Sequence, residues 1–281
     1  MSSSYKLYDY NPSTGAAVVF AGLFAATSAF HLWQMVRNRT WYFTPFIIGG
    51  FFELFGYVAR YISAKQTPNW TTMPYVGQEL LLLLAPSLFS ASIYMILGRI
   101  VRLVHGDSRS LIRPSWLTKI FVTGDVLSFF IQSGGGGIMA SGKTSSSVSL
   151  GNTVIVVGLI VQLVFFGFFV VVSLVFHRRM TASPTPVSLS ISPPWYTYMR
   201  TLYAASFFIM VRSIYRVVEY VQGTSGVLQQ HEVYLYIFDA MLMLLCCLLF
   251  NIMHPSRIIS SQRQPYGKVD ADQMEMLNAG R

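Results

Sequence analysis

The side chains of this chain that could do chemistry are charged or amide groups set inside runs that are otherwise apolar. Arg212, Arg216 and Glu219 stand at i, i+4 and i+7, the spacing that puts side chains on one face of a helix. Glu53, Tyr57 and Arg60 repeat it, and so do Glu232, Tyr236 and Asp239. Gln78 and Glu79 open a further apolar run, Asp125 and Gln132 stand seven apart in another, and Gln162 lies in a third. A charge at bilayer depth costs about 2.5 to 3.5 kcal/mol on the insertion scale unless it finds a partner or water. For any single pair, an interhelical bridge that fixes the bundle explains the residues as well as a ligand does. Three arginines and six acids together exceed what a small bundle needs for its register, and the simplest arrangement that hydrates them is a polar cavity open to one side. Pro86 adds a kinked wall to it.

Other chemistries are poorly served. Gly137-Ile138-Met139-Ala140-Ser141-Gly142-Lys143-Thr144 matches the phosphate-loop pattern GxxxxGK[ST] letter for letter. Such a loop works only after a strand, with a helix opening at the Lys and an Asp nearby for magnesium. Here an apolar run precedes it and Ser145, Ser146 and Ser147 follow. The alternative is a glycine-rich hinge in which Gly134 to Gly137 lets a helix end unwind or approach a neighbour closely. The apolar cores contain no Lys for a retinal Schiff base. Four of the five histidines, His31, His105, His177 and His254, fall where they could gather a metal with Asp125, as in seven-helix intramembrane amide hydrolases, but no two are spaced i, i+4. Cys246 and Cys247 are neighbours and make a poor disulfide. No metal, no cofactor and no enzymatic reaction are expected.

The elements that must position these residues are membrane helices. Of 281 residues 53% are hydrophobic and 11% charged, whereas an ordinary soluble domain is roughly 25% charged. Seven apolar stretches can each span a bilayer as a helix: Thr14–Val36, Thr44–Ser63, Val76–Leu103, Trp116–Ala140, Gly151–Phe176, Arg200–Val221 and Glu232–Met253. Met1–Ser13 is polar and the first run is too long for a cleaved signal. Of the 20 Lys and Arg residues, 14 fall on the side of Arg37, Arg99, Arg178 and Arg257, and 3 on the other, namely Lys6, Lys65 and Lys143. The net charge of +9 is therefore a topology signal and not a nucleic-acid footprint, and it places the N-terminus outside and the C-terminus in the cytoplasm. The expected fold is all-α, a polytopic seven-transmembrane-helix bundle of residues 14–253 between an extracellular segment 1–13 and a cytoplasmic, unstructured tail 254–281. His177–Tyr198, with Ser183-Pro184-Thr185-Pro186, reads as a flexible cytoplasmic loop. Asn69-Trp70-Thr71 is a glycosylation pattern on the outer side.

At this point a resemblance enters. Glu53-Leu54-Phe55-Gly56-Tyr57-Val58-Ala59-Arg60, Leu84-Ala85-Pro86 with Tyr94, Phe121-Val122-Thr123-Gly124-Asp125, Gln132 with Gly134 to Gly137, and Gly158-Leu159-Ile160-Val161-Gln162 are similar to the fungal lipid-translocating exporter, or RTA-like, family. Arg212-Ser213-Ile214-Tyr215-Arg216-Val217-Val218-Glu219, His231-Glu232, Tyr236-Ile237-Phe238-Asp239 and His254-Pro255 continue it. The resemblance implies a fungal plasma-membrane protein exporting lipids or other amphiphiles, sphingoid long-chain bases and toxic sterol-like compounds among them. On that footing Glu53, Asp125, Glu219, Glu232 and Asp239 are candidate acceptors for a cationic or zwitterionic headgroup, with Arg60, Arg212 and Arg216 holding them ionised. Tyr57, Gln132 and Gln162 complete the expected substrate-binding set. The other reading is a seven-helix receptor that senses a lipid and signals through its basic inner loops.

Overall fold

Apolar runs of this length can satisfy their backbone in lipid by forming helices, and the chain does so. The computed structural model describes residues 8, 10–141, 144–191, 195–223 and 226–256, and these contain helices and no strand. In chain order they are α1 (Thr14–Asn38), α2 (Thr44–Lys65), α3 (Thr72–Leu103), α4 (Pro114–Ser141), α5 (Ser145–Ala182), the short α6 (Pro186–Ser190), α7 (Trp195–Gln222), α8 (Val227–Gln230), α9 (Glu232–Leu235) and α10 (Met241–Ile252). A π turn, Tyr236–Ala240, joins α9 to α10 in one rod. Among the described residues six helices are long and apolar enough to cross a membrane: α1, α2 with the turn before it, α3, α5, α7 and the α9–α10 rod. The chain is thus a multi-pass membrane protein. The remaining long helix, α4, has the length but is diluted by Asp125, Ser128, Gln132, Ser133 and five glycines; it packs along α3 and α5.

Sequential neighbours pack on one another, α1 on α2, α2 on α3, α3 on α4 and α4 on α5, after which α7 closes on α5, α3 and α10. The apolar stretch of α3 is 72% buried against 28% for α1, so α3 is the central rod. The surface is inverted relative to a soluble protein. Phe130, Val164 and Phe207 are more than 60% exposed, while Arg60, Arg212 and Arg216 are at most 1% exposed, an arrangement stable only where lipid is the solvent. Along one end, cationic side chains lie over aromatic rings: Arg37 on Trp33, Arg99 on Tyr42 at 3.8 Å, Lys119 on Trp116 and Arg200 on Tyr196. Long cations and Trp or Tyr gather in this way at a membrane–water boundary.

One expectation needs correction, and two open readings are decided. Helix α5 runs on to Ala182 and α7 starts at Trp195, so the expected loop His177–Tyr198 is helical at both ends. Hydropathy marks where lipid stops, not where the helix does, and Arg178 and Arg179 suit the C-terminal end of a helix. Between them α6 opens on a Thr185 cap with Pro186 in its first turn, and Thr185 Oγ1 donates to the Val104 carbonyl at 2.6 Å, tying the segment to the end of α3. The phosphate-loop pattern follows a helix and not a strand, which removes its mechanism; Gly142 and Lys143 lie outside the described residues. Of the two roles foreseen for Gly134–Gly137, unwinding does not occur, because α4 stays helical to Ser141. Close approach does. A Cβ on Gly135 would lie 2.7 Å from the Gly151 carbonyl oxygen, so the α4 and α5 backbones touch there. The expected tail Arg257–Arg281 lies outside the described residues.

Candidate functional site

The three i, i+4, i+7 faces meet at the end of the bundle opposite the cation–aromatic belt. Helix α7 presents Arg212, Arg216 and Glu219, all buried. Opposite it, the π turn carries Asp239, also buried. A π turn widens the helix by one residue and is common at functional positions; here the Met241 N–H reaches back to the Tyr236 carbonyl. Asp239 binds two guanidinium groups at once, Oδ1 accepting from Arg212 Nε at 2.6 Å and Oδ2 from Arg216 Nη2. Arg216 Nη1 also donates to Glu219 at 3.0 Å and lies 3.5 Å from Glu79 on α3. Arg212 Nη2 donates to the Leu82 carbonyl at 2.6 Å. That carbonyl is free because its helical partner four residues on is Pro86, which has no N–H. Helix α3 is assigned as unbroken through Pro86, and the arginine supplies the missing donor.

Nearer the N-terminus of the chain, Arg60 of α2 pairs with Glu232 of α9 at 2.7 Å and donates from Nε to the Tyr236 hydroxyl at 3.2 Å. Tyr236 stacks near Tyr57, which itself stacks on Phe24 of α1. Two side chains from before α1 enter the same corner. Tyr8 donates to Gln78 Oε1 at 2.9 Å, and Arg60 Nη2 donates to the Tyr10 hydroxyl at 2.7 Å. Gln78 Nε2 continues to Glu79 at 2.9 Å, and Tyr220 donates to Glu79 at 3.2 Å. Glu79 and Glu232 keep 18% and 15% of their side chains exposed, so they form the rim of an otherwise buried cluster. Among the described residues the charged side chains expected to line the foreseen cavity pair mostly with one another.

Glu53 is fully buried within electrostatic reach of Asp239, Arg212 and Arg216. Neither of its oxygens has a hydrogen-bond partner among the described residues, and Arg212 Nη1 and Arg216 Nε are likewise unpartnered. The cluster therefore holds three guanidiniums, five carboxylates and unused capacity of both kinds.

The other expected site residues form a separate group among α3, α4 and α5. Gln132 Nε2 donates to Gln162 Oε1 at 3.1 Å and to Ser128 Oγ at 2.6 Å. Gln162 Nε2 donates to Ser87 Oγ at 3.0 Å, and Ser128 Oγ to the Gly158 carbonyl at 2.9 Å. Asp125, deeper on α4, faces the Tyr94 hydroxyl, with neither group in hydrogen-bond geometry. The expected binding set is thus split, with Gln132, Gln162 and Asp125 standing apart from the ion pairs. Among the described residues no three of His, Cys, Asp and Glu converge as metal ligands; His31 meets the Cys247 carbonyl at 3.0 Å and His177 the Tyr203 hydroxyl at 3.1 Å. Sequence reasoning missed Tyr8, Tyr10, Tyr220 and Tyr215, whose hydroxyl donates to Glu219 Oε1 at 3.1 Å. The Tyr pair in a polar stretch just ahead of an apolar run was the available signal.

Residues 46–262 match the family model described as RTA1 like protein. The chain belongs to the RTA1-like family. Protein RTM1 of Saccharomyces cerevisiae is 34% identical to this RTA1-like chain over 89% of it and 92% of the relative. The protoporphyrin uptake protein 1 of the same species is also 34% identical, over the same shares. A sphingoid long-chain base transporter of that yeast, RSB1, is 27% identical over 80% of this chain and 67% of its own length. No solved structure matches the chain.

Proposed function

We propose that this RTA1-like protein is a transporter of amphiphiles, lipids foremost, in which a charged headgroup enters the ion-pair cluster while its apolar body stays in lipid between helices. The observation that carries this is Glu53, a buried carboxylate near Arg212 and Arg216 with no hydrogen-bond partner of its own among the described residues. A structural ion-pair set needs no such group, because an unpartnered buried charge is a net cost. Five carboxylates to three guanidiniums leave an acidic excess, which favours a headgroup carrying an ammonium. The relatives support an amphiphile in general: one is named for protoporphyrin uptake, another for sphingoid long-chain base transport. One name says uptake and the other gives no direction, so the direction is left to experiment.

In this reading all seven long helices span the membrane, α4 included, and the protein resides in a fungal plasma membrane. The basic, aromatic end faces the cytoplasm, the cluster opens outward, and Asn69, exposed between α2 and α3, is extracellular. A tag before Ser2 should be reached by antibody on intact cells and one after Arg281 only after permeabilisation; the reverse pattern inverts the assignment.

The test of function is purified protein in liposomes with a labelled long-chain base, wild type beside Glu219→Gln. The wild type should move the base unaided, and the variant should lose that movement at normal abundance. Arg216 keeps Asp239 and Glu79 when the Glu219 charge is removed, so the substitution strands no arginine. A well-expressed, fully active variant would remove the cluster from the mechanism. Saturable binding with no movement by the wild type would favour the lipid-sensing receptor.

A further inference from the structure

Tyr8, Tyr10 and Ser13 precede α1 and belong to no helix themselves, yet they make the outermost contacts of the cluster. The Ser13 N–H points between the two oxygens of Glu232, at 3.0 and 2.9 Å. The same carboxylate is paired with Arg60, and Arg60 Nη2 donates to the Tyr10 hydroxyl. A hydrogen-bond donor thus sits on the carboxylate and a hydroxyl acceptor on the guanidinium, side by side, and both come from one short stretch of chain.

We propose that this stretch is a built-in surrogate for a ligand's headgroup: the Ser13 N–H and Tyr10 hydroxyl hold, against Glu232 and Arg60, the positions that the ammonium and hydroxyl of a long-chain amino alcohol take when the stretch is displaced. The inference rests on the amphiphile-transport reading above and deepens it by naming the headgroup and the corner of the cluster it meets first. Glu232 is on the rim, partly exposed, so an incoming headgroup reaches it before any deeper group.

The exchange is chemically favourable. A backbone N–H is a neutral donor, whereas an ammonium makes a charge-assisted hydrogen bond to a carboxylate roughly twice as strong. Burial raises the Tyr10 hydroxyl pKa above its ordinary value in spite of the adjoining Arg60, so it accepts as a neutral phenol and its departure leaves no charge behind. Tyr8 extends the consequence inward. It donates to Gln78, which donates to Glu79, which pairs with Arg216. Lifting the stretch releases this chain of contacts at its outer end and makes Glu79 and Arg216 free to change partners. Rings of Trp70 and Tyr75 pack edge-on against Tyr8, giving the stretch a defined seat to leave and return to.

The experiment is binding of a C18 2-amino-1,3-diol to the full-length protein in detergent, with a C18 alcohol lacking the amine as control. Wild type is compared with Tyr8→Phe/Tyr10→Phe, which keeps the rings and removes the hydroxyls, and with a deletion of residues 1–10. Hydrogen exchange of the amides from Ser13 to Ala17 is followed with and without the amino diol. Weakening two hydrogen bonds that hold the surrogate should tighten amino-diol binding about tenfold in both variants and leave the alcohol unaffected. In the wild type, saturation with the amino diol should speed exchange at Ser13. Equal binding by all three proteins with Ser13 still protected would overturn the surrogate while the transport reading stood. Weaker binding by the variants would make the tyrosines part of the ligand site and overturn it also. No saturable binding of the amino diol to any of the three would overturn the headgroup assignment and the surrogate together.

Discussion

Two polar regions lie inside this bundle, and they are built on opposite rules. Around Gln132 and Gln162, with Asp125 and Tyr94 lying deeper and outside the network, the polar groups are neutral and closed: the amide and hydroxyl donors of Gln132, Gln162 and Ser128 run through one another to the Gly158 carbonyl and to Ser87. Between α2, α3, α7 and the α9–α10 rod they are charged and open-ended, with Asp239 shared by two arginines and Glu53 left unpartnered. A closed neutral network specifies how helices pack and asks for nothing more. A charged cluster with spare donors and acceptors can exchange one partner for another at small cost, which is what a transient headgroup requires. The difference teaches that burial of a polar residue in a membrane helix does not by itself mark a ligand site; what sets the proposed site apart is spare donors and acceptors beside ion pairs that can be exchanged.

The contrast can be broken most severely at Asp239. Asp239→Asn removes the charge that two buried guanidiniums share, so about 3 to 5 kcal/mol of stability should go. We expect loss of the protein from the membrane or a much lowered thermal midpoint in detergent, where Glu219→Gln leaves both near normal. Equal abundance of the two variants would show that the charges in this cluster are interchangeable.

Gly135→Val probes the other region by packing alone. Its side chain would meet the Gly151 backbone and Ile155 where α4 and α5 touch, and overpacking of this kind costs about 1 to 3 kcal/mol. The thermal midpoint should fall while amphiphile movement per folded molecule stays unchanged.

The smallest effect sharpens the comparison most. Gln162→Met alone leaves the Gln132 amide and Ser87 without their partner and should cost about 1 kcal/mol, and Gln132→Met added to it should cost little further, because an interhelical hydrogen bond in a membrane protein is worth only about 0.6 kcal/mol on average. Movement of substrate should persist in the double variant. If it disappears while abundance is normal, the neutral network belongs to the transport path and the division between the regions fails.

Much of this was legible beforehand at particular residues. The run from Thr153 to Phe176 has almost no polar face apart from Gln162, so a membrane helix was its only stable form, and α5 covers it. Arg212, Arg216 and Glu219 were placed on one face by spacing, and that face is buried. Spacing could not tell that Gln132 and Gln162 hydrogen-bond with each other, Ser128 and Ser87 and not with the arginines, since their polar faces belong to rods that turn toward α3 and each other. Tyr8 and Tyr10 carried a signal in their residue type but none in their position, because no periodicity governs a segment ahead of a helix.

The sequence by itself determined that this chain lies in a membrane as a set of long helices, that its basic residues gather at one end, and that every charge within those helices needs a partner, because lipid offers none. It also determined that Pro86 leaves the Leu82 carbonyl without its helical donor. Only the tertiary structure decided who answers: Arg212 for that carbonyl, Asp239 for two arginines, Tyr10 and Ser13 for Arg60 and Glu232. The reason is geometric. Helical periodicity fixes the direction in which a side chain leaves its own rod, and the identity of the group it meets depends on which rods lie alongside, at what height, and on a π turn at Tyr236–Ala240 that no spacing in the sequence announces.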